Sequence, residues 1–433
     1  MTTIATNPET ITDAQLVVTA PEQSSDALLL SDVLVTDVQE QVDTPEKPPC
    51  EMKLSIKQED FLGVLTLVMK AASFHSTLPV LAHVLVATRP RICAGMPAHV
   101  LFTCSNQETT ISFECEADIE CEGTCTIPVK PLLECVKTFS KGKRITVEVQ
   151  ETRIHVWCEK RVFQLKGRMD ADAFPQWREM ILGDGAPCSL DADVFRQAIK
   201  EVHFAAADDE TRPVFRTICM HIQDELLTLV ALDGYRMAVR TITLPIAVRG
   251  CDTVLLAPVA SLRLLADVMP AACPVVICWD EARSRAVFQA GLVQIAVRLS
   301  EGTFPNYRAV LPKEHMASFT LPRKDLEQIV KAFKPFAQDN ANIFTLSYSG
   351  EQGTVGCLAE SEELGEAYDE IAASIEGDGG RIIFNIRYLM DVLKHVQVDA
   401  FSFRLTAESR PGLLLADGRE DCFYVVMPMS RNR

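Results

Sequence analysis

The chain has 433 residues, a formal net charge of −17 and 48% hydrophobic residues, which predicts two to four folded domains and argues against a surface that attracts nucleic acid all round. No run reaches the roughly 18–20 apolar residues that span a bilayer, and no basic region followed by an apolar core opens the chain. The fifteen cysteines therefore read as reduced thiols in a cytoplasmic protein.

Residues 1–51 predict a disordered acidic extension: the first fifty carry nine acids against one base, Lys47, and "TPEKPPC" (44–50) reads as a linker. Within it "ALLLSDVLV" (27–35) is either a short partner-binding segment or part of an inert tail. "IKQEDFLGVLTLV" (56–68) then sets acids in a first helical turn, followed by apolar residues at helical spacing. The cysteines of "ECEADIECEGTC" (114–125) are too loosely spaced for structural zinc and fit strands whose alternate residues enter a core. "CTIPVKPLLECVKTF" (125–139) runs from strand into helix with a proline near the helix start. "ITVEVQETRIHVWCE" (145–159) reads as a hairpin.

From there the chain repeats itself. "FQLKGRMDADAFPQW" (163–177) returns as "VQIAVRLSEGTFPNY" (293–307): Gln164 matches Gln294, Arg168 matches Arg298, Phe174-Pro175 matches Phe304-Pro305, and Trp177 faces another aromatic, Tyr307. The 56–68 helix returns as "LDADVFRQAIKEV" (190–202) and "LPRKDLEQIVKAF" (321–333); the strand-to-helix segment returns as "VLLAPVASLRLLADV" (254–268) and "IIFNIRYLMDVLKHV" (382–396). The chain is thus three α+β units of two helices and many strands, at 52–180, 187–312 and 316–433. Pro335 is expected to end or kink the helix before Phe336, and glycine-rich "EGDGGR" (376–381), lacking the Lys-Ser/Thr of a phosphate loop, reads as a hairpin turn. Over the six helical segments fourteen Lys and Arg stand against ten Asp and Glu, so the net acidity lies in the strands and the extension. A helix-lined face would attract phosphates, unless these lysines simply solvate exposed faces.

Three stretches in this order, "STLPVL" (76–81), "LDGYRMAV" (232–239) and "FPNYRAVLP" (304–312) leading to "YVVMPM" (424–429), make the chain resemble the bacterial DNA polymerase III beta subunit, the beta sliding clamps, from Met52 to Met429. The resemblance implies three clamp domains, each of two helices packed on two antiparallel sheets. It implies a head-to-tail homodimer closing a six-domain ring, helices lining the hole and sheets outside. It implies no catalysis and no cofactor or metal of its own, but a processivity factor that encircles double-stranded DNA without sequence preference. Polymerase and clamp-loader subunits would dock by short hydrophobic motifs.

By matching position, the resemblance implies a peptide pocket of Phe215, Leu232, Gly234, Tyr235, Arg236, Met237, Pro305, Val310, Pro411, Val425, Val426, Met427, Pro428 and Met429. Met suits varied apolar ligands, and Arg236 would orient a peptide carbonyl or carboxylate. DNA contacts would come from His75, Lys130, Arg196, Lys200, Arg212 and Arg387, and the dimer interface from Phe163, Leu165 and Phe336. His75 stands where the family tends to carry Arg, Val259-Ala260 where basic residues often begin a helix, and Ala309 where some clamps have a second pocket Arg. These departures keep open a second class: a clamp-like scaffold, or second-copy clamp, that binds peptides but holds DNA weakly.

Overall fold

The computed structural model describes residues 50–89, 98–151, 153–175, 187–312 and 314–430. The expected extension before Cys50, together with Trp177, therefore lies outside the described residues. Among the described residues, six α-helices fall in three pairs: α1 (Gln58–Val68) with α2 (Val129–Lys137), α3 (Ala192–Val202) with α4 (Val259–Val268), and α5 (Arg323–Asp339) with α6 (Ile386–His395). Each starts where the backbone is still extended. α2, α4 and α5 follow Pro128, Pro258 and Pro322, whose fixed φ suits the entry. α3 and α6 are capped by side chains: Asp191 accepts the amides of Asp193 and Val194, and Asn385 accepts that of Arg387.

α5 does not stop at Pro335 but runs on to Asp339. A proline in the last turns removes a single backbone bond, the one to Lys331, and that residue is exposed. The "EGDGGR" segment is not a hairpin either. Ser374–Gly377 pairs with Ala317–Pro322 in one sheet, while Gly380–Asn385 pairs with Ile343–Ser349 in another, so the chain changes sheets at Asp378-Gly379. Gly377 makes this possible: its φ is +89°, and a Cβ there would meet the Met316 carbonyl oxygen at 2.0 Å.

Among the described residues the strands form a twelve-stranded, a seven-stranded and a four-stranded sheet. Two of them cross from one unit to the next. Val293–Arg298 pairs antiparallel with Thr109–Cys121, from Val293↔Phe113 to Val297↔Thr109. Cys422–Val426 pairs in the same way with Arg236–Pro258, from Arg236↔Val426 to Arg240↔Cys422. The sequence repeat is therefore also a repeat of the joint between units. One apolar core, built from residues such as Phe61, Phe102, Phe195, Phe288, Phe344 and Tyr424, lies between helices and sheets. Cys115 and Cys125 are buried in it, as strand alternation predicts, whereas Cys121, at the end of its strand, is only half-buried and outside it.

Candidate peptide pocket and nucleic-acid face

The turn in "LDGYRMAV" is closed by its own side chain. Asp233 Oδ1 accepts the amides of Tyr235 and Arg236, both at 2.8 Å, and Gly234 takes φ +91°, where side chains are disfavoured. Leu232 and Met237 are thereby paired across the hairpin and point to one face. The final strand Cys422–Val426 is laid beside them, bonded on its other side to Gly412–Ala416.

Alternation along that strand divides the "FYVVMPM" segment. Phe423 and Val425 face a small apolar cluster with Cys219, Val230, Leu232, Met237, Val239 and Leu256, over which Val214, Phe215, Phe304, Tyr307, Leu311 and Leu413 fold. Tyr424 and Val426 face the main core, both fully buried. Val426 therefore does not line the pocket; an extended strand cannot present two consecutive side chains to one face. Beyond the strand, Met427 N–H donates to the Tyr235 carbonyl at 2.8 Å and Met429 N–H to that of Ile383 at 2.8 Å. Pro428, which has no N–H, sits between these two tethers. Met427, Pro428, Met429 and Pro411 are half-buried at the margin, while Pro305, Val310 and Tyr235 are exposed.

The same alternation turns Arg236 away from Met237. Its guanidinium binds Asp233 at 2.9 Å and Asp391 of α6 at 2.5 Å, and stacks over the Tyr388 ring at 4.7 Å. Arg236 is thus a joint between the second and third units, and it also lines an open cleft with Phe215 and Tyr235. Phe215, Leu232, Met237 and Val425 are brought together; Phe304, Tyr307, Leu413 and Phe423 belong with them and were missed. The repeated Phe-Pro motif and the every-second-residue rule from Val425 were the available signals.

Of the expected DNA contacts, His75, Lys130, Lys200, Arg212 and Arg387 are exposed, the two lysines and Arg387 on helices. Arg196 is not available to DNA. It donates to the carbonyls of Ala266 (3.0 Å), Met269 (2.7 Å) and Pro270 (3.2 Å), closing the C-terminal end of α4, whose last carbonyls have no helical partner. Arg323 does the same for α6, donating to the carbonyls of Leu393 and Val398. Exposed cations that the motifs did not reveal, Lys70 and Arg263, stand on the helical layer. In the 206–213 loop, Asp209 bonds the hydroxyl and amide of Thr211, which hold its carboxyl below the usual range, and Glu210 pairs with Arg216 at 3.4 Å.

Of the expected interface residues, Phe163 is half-buried edge-on against Phe139 at 5.5 Å, Leu165 is half-buried beside it, and Phe336 is half-buried on α5. Phe163 and Leu165 lie on Arg161–Leu165, an end strand of the twelve-stranded sheet. Gly365–Ala372 is an end strand of the four-stranded sheet. Val162 on the first edge and Tyr368 on the second are each 60% exposed. Among the described residues no group of three or more His, Cys, Asp or Glu is placed to hold a metal, and no helix is long and apolar enough to cross a membrane.

Comparison with known proteins places this geometry. Models of the N-terminal, central and C-terminal domains of the DNA polymerase III beta subunit match residues 52–178, 189–306 and 308–430. The chain is 25% identical over 384 residues to the beta sliding clamp of Synechococcus elongatus, covering 87% of this chain and 99% of that one. It is 27% identical over 380 residues to that of Pseudomonas putida, covering 87% and 100%. Its fold matches the DNA polymerase sliding clamp of Bacillus subtilis with a TM-score of 0.82 at 22% identity, covering 88% of this chain and all of that one. A sliding clamp of Pseudomonas aeruginosa bound to griselimycin matches with a TM-score of 0.80 at 23% identity over the same shares. With all three domain models matched in order along one chain, this protein belongs to the DNA polymerase III beta subunit family.

Proposed function

We propose that the chain is a sliding clamp: two copies close head to tail around duplex DNA, and the apolar cluster on the outer sheet holds the short hydrophobic motifs of polymerase and clamp-loader subunits. One observation carries the ring. At each joint within the chain, a strand of the Val293–Arg298 type pairs with one of the Thr109–Cys121 type. The first unit has the former type in Arg161–Leu165, and the third unit has the latter in Gly365–Ala372; both are left at sheet ends. A second copy supplies the missing partner for each, and the joint then repeats around a closed loop with neither of these two edges left unpaired. Charge agrees: Lys160, Arg161 and Lys166 flank one edge, and Glu366, Asp369 and Glu370 lie on the other.

The three units at 52–180, 187–312 and 316–433 serve as the three clamp domains on each copy. Lys130, Lys200, Arg212 and Arg387, with Lys70 and Arg263, face phosphates, holding DNA without reading its sequence. The protein performs no chemistry of its own and works inside the cell, where the DNA is. Native mass spectrometry tests the ring: a mass near twice 47.9 kDa at micromolar concentration is expected, and a monomer there contradicts it. The scaffold reading keeps one observation in its favour, the diversion of Arg196 to helix capping, which removes a cation from the DNA face.

A further inference from the structure

Beside the apolar cluster lies a cleft of 510 Å³, most of whose lining lies outside the expected pocket. It shares Cys219, Leu256, Phe304 and Tyr307 with the cluster, so the two are continuous along one sheet face. Its far wall is different in kind. Arg283 and Arg308 stand at its lip, both exposed, and neither guanidinium forms an ion pair among the described residues. Glu301 is the one carboxylate in the lining; His221, also in the lining, bonds Asp252 at 2.7 Å. Arg283 is held in place by a fixed turn: Asp280 accepts the amides of Ser284 and Arg285 at 2.7 and 2.9 Å, and the Arg283 amide donates to the Asp280 carbonyl at 2.9 Å. On a chain of net charge −17, an apolar floor ending at two arginines without an ion pair, one of them lying over the Tyr307 ring at 5.7 Å, favours carboxylates over cations at this spot.

We propose that the cleft extends the peptide site: it takes the stretch of a partner chain that flanks the apolar anchors, when that stretch carries Asp or Glu, with its carboxylates against Arg283 and Arg308. The proposal rests on the pocket reading above. It makes partner choice a matter of two chemistries in series, an apolar anchor common to all partners and an acidic flank that ranks them.

The test uses the full chain and fluorescent peptides with a Leu and a Phe anchor, whose flanks are neutral, three Glu on the N-terminal side, three Glu on the C-terminal side, or Lys in the same places. Binding is read by anisotropy for the wild type and for the double variant Arg283→Ala, Arg308→Ala. One of the two acidic-flank peptides should bind roughly fivefold tighter than the neutral peptide at low salt, the Lys peptides no tighter than neutral. That ratio should fall toward one at high salt and in the double variant. A ratio of one for both acidic peptides in the wild type, or a ratio that survives the double substitution, overturns the extension while leaving the pocket standing. Displacement of the acidic flank by a single-stranded oligonucleotide, with the anchor still bound, would assign the arginines to phosphate and overturn it as well. Failure of the neutral peptide to bind at all overturns the pocket reading, and the extension with it.

Discussion

At the scale of single residues, neighbours in the chain have been assigned to opposite tasks by strand alternation. Met237 faces the apolar cluster and Arg236 the joint with α6. Met237→Glu should therefore lower the affinity of an anchor peptide at least about tenfold in anisotropy titrations, because a carboxylate would have to be desolvated among Leu232, Val239 and Val425. Thermal unfolding checks that the hairpin survives. A second junction is hidden more deeply. Glu201 on α3 is 1% exposed, forms an ion pair with Arg240 at 3.0 Å and accepts from Arg419 of the third unit at 2.8 and 2.9 Å. Glu201→Ala leaves two partly buried guanidinium groups with Asp421 as their shared remaining carboxylate; denaturant unfolding should show a loss of about 3 kcal/mol. None of these pairings was legible in the sequence. Asp391 lies 155 positions after Arg236 and Arg419 lies 218 after Glu201, and no local pattern connects residues that only the fold brings together. Leu232, Met237 and Val425 were legible because they travel with a turn and a strand whose chemistry is local.

At the scale of elements, the helices were found by their beginnings. Pro128 and Pro258 were short-range signals that the structure uses, whereas the caps Asp191 and Asn385 are as local but were not singled out. Ends were harder, because α5 outlasts its proline and the 376–381 segment depends on which sheet each half can reach. The contact between α3 and α6 shows what such packing controls. His203, just past α3, meets His395, at the end of α6, edge to face with ring centroids 4.9 Å apart. Phe204 stacks on His395, and the Arg236 guanidinium lies over Phe204. Each histidine Nδ1 donates to carbonyls of its own helix end, His203 to Ile199 and Lys200, His395 to Asp391. Burial, then His395, then Arg263 push the His203 imidazole below its ordinary 6.5, so the folded protein favours the neutral ring. Protons are then bound more readily by the unfolded chain. Stability from this site is complete above about pH 6.5 and is lost as pH falls through the depressed folded value. Melting temperature measured between pH 7.5 and 5 should drop less steeply for His203→Gln than for the wild type; parallel curves would show that the pair does not report on pH.

At the scale of the whole molecule, the repeat was legible, and the edges of the proposed ring only partly so. Phe163 and Leu165 lie on an end strand that the proposed ring would use, yet the more exposed apolar residues on the two edges are Val162 and Tyr368, whose neighbours in sequence do not distinguish an open edge from a paired one. Val162→Lys, which adds a cation to an edge already flanked by Lys160 and Arg161, and Tyr368→Asp, which adds an acid to an acidic edge, should each weaken the dimer by tenfold or so in sedimentation equilibrium. Neither touches the pocket, so anchor-peptide affinity should stay within about twofold of the wild type.

Encirclement differs from side-on binding in one way that no affinity measurement captures: it depends on whether the DNA has ends. The protein, loaded by its cognate loader on a nicked circular plasmid and passed through a sizing column at moderate salt, should stay with the circle and be lost once the plasmid is cut at a single site. Equal retention on circular and linear DNA, or no retention on either, would contradict a closed ring that slides.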